Sequence, residues 1–145
     1  MKSGILALVL ALIVTAAVPL SAEQGEPYSF VGMTLEQLIA HLGAPISVHA
    51  SRGIEYWQDD VVFQYIVGNF YIVWNRVWQV SLSNLRGIRL GDPRAAVFLT
   101  LGDGALDQGS HVVYRLPSAA WPMALRVSFN EAQQVNGIFV YRSDL

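Results

Sequence analysis

Two stretches of this chain of 145 residues share one spacing, and that spacing constrains the fold more than any single residue. The first runs from Val31-Gly32-Met33-Thr34 to Leu42-Gly43, the second from Leu90-Gly91-Asp92-Pro93 to Leu101-Gly102. Gly32 and Gly43 lie 11 positions apart, as do Gly91 and Gly102, and the two stretches are offset by 59. Val31/Leu90, Leu38/Val97 and Leu42/Leu101 keep the apolar positions in step. Self-similarity at a fixed period organises a chain before any residue chemistry is considered. It predicts an α+β fold of two tandem repeats in one globular body. Each repeat is expected to be a short helix followed by a three- or four-stranded antiparallel sheet, over residues 30–83 and 84–145.

The local signals define both helices. Thr34 and Gln37 form a capping-box pair, and Met33 and Leu38 are placed as its hydrophobic staple. Leu35, Leu38, Ile39 and Leu42 share one helical face. Gly43 is placed to end that helix, with Pro45 just beyond. In the second stretch Asp92 is the expected cap, Pro93 the first helical residue, and Gly102 the stop. Aromatic and β-branched runs then predict strands at Ile54–Gln58, Val61–Val67, Phe70–Trp74 and Val77–Leu82. In the second repeat they fall at Val112–Leu116, Ala124–Phe129 and Val135–Tyr141. The Val61–Trp74 hairpin has almost no polar face, so it is expected to be covered on both sides.

The first 22 residues carry Lys2, an apolar run from Ile5 to Leu20, and a small residue at Ala22, the pattern of a secretory signal. At 16 residues the run is short of the ~20 that span a bilayer. The expected location is periplasmic or secreted, with 23–29 a polar leader. A net charge of −2, with no basic cluster, excludes the footprint of a nucleic-acid binder and argues against strong lipid attachment. The chain has no cysteine, so neither a disulfide nor an acylated thiol supports it.

Gly32-Met33-Thr34-x-x-Gln37-Leu38-x-x-x-Leu42-Gly43-x-Pro45, with Tyr56-Trp57 and a later Val77-x-x-Val80, resembles the SmpA/OmlA family of small bacterial envelope proteins. The tandem arrangement resembles the β-lactamase-inhibitor-protein-like fold. The resemblance implies a non-enzymatic envelope protein that binds other proteins. This chain departs from both patterns, lacking the acylated cysteine of the one and the disulfides of the other.

The side chains suited to chemistry fit that class. His41, His49 and His111 have no metal-ligand spacing, and no cofactor is called for. Asp59-Asp60 occupy an expected turn, and no Gly-x-Ser-x-Gly elbow occurs. The aromatics and arginines carry more: Tyr56, Trp57, Trp74, Trp78, Trp121 and Tyr141, with Arg115 and Arg126, are the candidate binding residues. The partner is expected to be another envelope protein, or a second copy meeting this one through the Val61–Trp74 hairpin. The alternative is a small apolar or cell-wall ligand in a groove between the repeats, lined by Trp57, Trp74 and Trp78.

Overall fold

The structure, a computed structural model, describes residues 27–53, 60–118 and 120–145. The expected signal, most of the leader, and the strand at Ile54–Gln58 lie outside them. A 3-10 turn (Pro27–Phe30) leads into α1 (Leu35–Leu42) and then β1 (Ser47–Ser51), β2 (Asp60–Tyr65), β3 (Gly68–Val73) and β4 (Arg76–Leu82). A small ribbon of β5 (Asn84–Leu85) and β6 (Ile88–Arg89) precedes α2 (Arg94–Leu101). There follow β7 (Leu106–Asp107), β8 (His111–Leu116), β9 (Met123–Phe129) and β10 (Val135–Arg142).

The expected α+β arrangement, with a separate sheet for each repeat, is overturned. Among the described residues, eight strands form one continuous antiparallel sheet in the order β1-β2-β3-β4-β10-β9-β8-β7, and only the two-stranded ribbon stands apart. The described residues are therefore mostly antiparallel sheet with two short helices. The cause is the pairing of β4 with β10, Val80 opposite Val140 and Gln79 opposite Tyr141. Strands that were expected to edge two sheets satisfy each other's backbone groups instead, removing two edges at once.

One face of this sheet holds the core. Phe70, Val80, Val140, Leu125, Val127 and Val112 pack there under Leu38 of α1 and Val97 of α2, both 0% exposed. Each helix is fixed at both ends by matched bonds. Gly32 N–H donates to Val77 O and Leu35 N–H to Asn75 O, while Gly91 N–H donates to Val135 O and Arg94 N–H to Gln133 O. At the far ends the Tyr65 hydroxyl donates to Gly43 O at 3.1 Å, and the Tyr114 hydroxyl to Gly102 O at 2.9 Å. Helix carbonyls without an intrahelical partner thus find one in the sheet.

Thr34 caps α1 with the complete capping box. α2 starts differently from the expectation. Pro93 is the N-cap and no side chain caps the helix, while the Asp92 carboxylate accepts from Arg89 N–H at 2.8 Å. A side-chain cap has less to do at this end, because Gln133 O already takes the Arg94 N–H. The Arg94 guanidinium instead ties α2 to the β7 margin, with both Asp107 carboxylate oxygens at 2.6 Å.

Two further expectations change. Ser47–Ser51, which carries His49 and lies outside every expected strand, is an edge strand paired along its length with β2. The Val61–Trp74 hairpin is not covered on both sides: Ile66 is 93% exposed, Trp74 84% and Val61 46%. Ile66 and Trp74 belong to tight turns at opposite ends of β3, where their side chains stand in water.

Gly32 has φ +93°, and a Cβ there would meet the Trp121 indole nitrogen at well under contact distance. Gly43 has φ +78° but open space around it. Gly32→Ala therefore combines a backbone cost with displacement of Trp121, and should destabilise by about 3 kcal/mol in urea unfolding. Gly43, at φ +78° and ψ −159°, lies where glycine alone is at ease, so Gly43→Ala carries the backbone cost alone and should lose about 2 kcal/mol. Equal losses would show that the Trp121 contact does not matter.

Candidate functional site

The face opposite the helices is open. Strand register places Tyr71, Gln79, Tyr141, Ala124 and Arg115 in one cross-strand row. Asn69, Ser81, Phe139, Arg126 and Val113 form the next. Because β4 and β10 are neighbours, side chains from the early and late parts of the chain meet here. They surround a cavity of about 840 Å³ lined by Asp60, Tyr71, Trp74, Trp78, Gln79 and Arg126.

A local irregularity builds one wall. The β3–β4 register shifts between Tyr71, opposite Gln79, and Ile72, opposite Val77, which leaves Trp78 as an extra residue. A bulge of this kind re-aims side chains, and here consecutive residues Trp78 and Gln79 both line the cavity. The Trp78 Nε1–H donates to Asp60 Oδ1 at 3.0 Å, and its ring meets Tyr71 edge-on with centroids 6.5 Å apart. Gln79 is the buried polar residue of the sheet, at 7% exposure.

Trp74 and Asn75 form the two-residue turn between β3 and β4, with Val73 opposite Arg76. Both turn residues have positive φ, +47° and +62°. Such turns favour Asn and Gly, and an aromatic in the left-handed region costs on the order of 1 kcal/mol. The chain places a large indole there and leaves it in water. Strain held at an exposed aromatic is a pointer to function rather than to packing.

Arg126 is the charged centre of this face. Its guanidinium lies 4.6 Å above the Phe139 ring and 5.9 Å from that of Tyr141. Its Nε is buried and has no hydrogen-bond partner among the described residues. Burial raises the Tyr71 phenol above the ordinary tyrosine value, the Asp60 carboxylate raises it further, and Arg126 opposes them. Tyr71 therefore stays protonated at neutral pH, a donor held between opposite charges.

The sequence candidates divide accordingly. Trp74, Trp78 and Arg126 line the cavity, and Tyr141 and Arg115 share its sheet face. Trp121 does not join them: it packs on Gly32, lies 3.9 Å beneath the Arg142 guanidinium, and lines a separate cavity of about 410 Å³. Tyr56 and Trp57 lie outside the described residues. Asp60, Tyr71 and Gln79 are not among the sequence candidates. Asp60 in particular opens β2 instead of sitting in a turn, and faces Ser51 of β1. Among the described residues no group of three or more His, Asp or Glu is placed to hold a metal ion.

This arrangement makes the Tyr71 titration a sensitive reporter. The raised phenol keeps its proton longer in the folded than in the unfolded chain, so its share of stability is present below pH ~10 and is lost as pH rises through that region. Asp60→Asn should bring the Tyr71 transition back toward the ordinary value, and Arg126→Met should move it higher. Ultraviolet difference titration, with Tyr71→Phe as the assignment control, reads both shifts. Unmoved transitions in both variants would contradict the geometry.

No protein-family model matches the chain, and no curated protein matches it. Solved structures do show similarity. An extracellular protein containing an SCP domain from Bacillus anthracis matches over 84% of this chain and 47% of its own, at 13% identity and a TM-score of 0.53. A cysteine-rich secretory protein from Staphylococcus aureus matches over 80% and 46%, at 11% identity and a TM-score of 0.47. A DUF4309-family protein from Bacillus subtilis matches over 76% and 78%, at 13% identity and a TM-score of 0.47. The chain spans about half the length of the first two. At these identities the Bacillus anthracis match shows a shared fold and nothing about activity.

Proposed function

We propose that this chain is an exported, non-enzymatic binding module that receives a segment of another envelope protein on the open face of its sheet. One observation carries the reading. The face left uncovered by both helices gathers Tyr71, Trp74, Trp78 and Tyr141 with Arg126, and Trp74 is held exposed at a turn position that disfavours it. Exposed Trp and Tyr beside Arg is the composition of interface hot spots. The cavity's polar groups support binding over catalysis. Asp60 holds the Trp78 indole, and Tyr71 keeps its proton at neutral pH. Export, to a periplasm or beyond the cell, is supported by the signal-like residues 1–22. The resemblance of residues 32–45 to the SmpA/OmlA pattern supports the envelope setting.

A second reading has its own support. A cavity of about 840 Å³ is within the range of small-molecule sites, so a cell-wall fragment between Trp74 and Trp78 is the competing occupant. A photo-crosslinking residue in place of Trp74, in cells producing the chain, separates the two. A discrete covalent adduct with a second protein, lost on Trp78→Ala, is the expected result. An adduct twice the chain's own mass would identify the partner as a second copy. Glycan adducts alone would favour the small ligand, and no adduct at all would overturn the protein-binding reading.

A further inference from the structure

Arg126 is the feature that the fold itself does not account for. Strand β9 could bury an aliphatic side chain at this position against Phe139 and Tyr141. It carries instead a permanent charge, half-buried, with a sealed and unpaired Nε–H. The two other arginines with mapped stacking contacts are satisfied: Arg94 grips Asp107, and Arg142 grips Asp144. Among the described residues, the hydrogen bonds and ion pairs of this face leave Arg126 without a carboxylate.

The cavity wall carries the Asp60 carboxylate, which accepts the Trp78 indole N–H, and the Arg126 guanidinium, whose unmatched donor favours an anion. A planar carboxylate matches the donor fork of arginine in geometry as well as charge. The ring of Phe139 covers one face of the guanidinium, so a ligand must approach in the plane of the fork. The Tyr71 hydroxyl, kept protonated, and the Gln79 amide supply further donors around the same space. The Trp74 and Trp78 rings wall the rest, and a lone small anion would leave them uncovered.

We propose that the cavity is a receptor for a Glu or Asp side chain presented by an acidic peptide segment, with Arg126 its charge partner and Trp74 and Trp78 packing the flanking residues. This rests on the reading of the open face as a protein-binding surface, and goes further by fixing the chemistry of the partner. The carboxylate meets the guanidinium at the cavity wall, and a shift of the Arg126 side chain that bares its sealed Nε–H lets binding satisfy a buried donor left unmet among the described residues.

Two measurements test it on the full chain. The first follows the Arg126 Nε–H resonance while blocked hexapeptides are added, one pool centred on Glu and a matched pool centred on Gln. The Glu pool should shift the resonance and quench tryptophan emission, with the Gln pool binding roughly tenfold or more weakly. Arg126→Met, which keeps the packing on Phe139, should erase the difference between pools. Arg126→Lys should recover only part of it, and unchanged thermal midpoints would exclude misfolding. Acetate or inorganic phosphate matching the Glu pool would show a general anion site and overturn the peptide assignment. Equal binding of both pools, or of neither, would overturn the carboxylate role.

The second repeats crosslinking from position 74 with Arg126→Met. An adduct that persists undiminished leaves the protein-binding face standing and removes the acidic anchor. An adduct absent from the parent chain removes both.

Discussion

The pairing of β4 with β10 is the constraint on which the rest of this molecule depends. Four residue pairs, from Leu82–Ile138 to Gln79–Tyr141, join a strand from the middle of the described chain to its last strand. Their inward side chains, Val80, Leu82, Ile138 and Val140, lie in the middle of the core beneath both helices. Their outward side chains, Gln79, Ser81, Phe139 and Tyr141, form the floor of the open face. One set of backbone bonds therefore decides both what is buried and what is displayed. Without it each half would have a narrow sheet and an exposed edge, with too little apolar area under a helix of eight residues.

The same pairing explains the uneven character of the two faces. The helix side is satisfied in detail, down to tyrosine hydroxyls on the carbonyls that follow each helix. The open side keeps its strain: a tryptophan in the left-handed region, a bulge at Trp78, and a guanidinium with a sealed, unmatched donor. Each feature weakens the isolated fold slightly, and all three border one cavity. On the proposed binding reading a partner completes these groups; positive φ by itself is not confined to this side, since Arg86 and Gln133 adopt it too.

Sequence alone carries the local parts of this account. Thr34 and Gln37 announce the start of α1, and Gly43 and Gly102 the helix ends, because caps and stops depend on neighbours a few positions away. The partnership of β4 with β10 spans more than fifty positions and leaves no local mark, so a repeated helix signal suggested a sheet for each unit. Asp92 was expected to cap because its residue type favours that role, but a backbone carbonyl from Gln133 already serves the helix start. β1 escaped notice because Ser-Val-His-Ala-Ser is a polar edge, paired on one side. For the site, residue type alone singled out Trp74, Trp78 and Arg126. Asp60 and Gln79 were invisible, because only the folded register turns a presumed turn acid and a strand amide toward the same space.

The β4–β10 seam should be as stable as the fold itself, since the cavity exists only while the seam is closed. Native-state amide hydrogen exchange at Val80, Leu82, Ile138 and Val140, the directly paired positions of the seam, tests this. These amides should exchange only through global unfolding, with the same opening free energy as the centres of β3 and β9. Seam amides that open first, while β2–β3 and β8–β9 remain protected, would contradict it: the halves would then be separately stable, and the shared face an occasional arrangement.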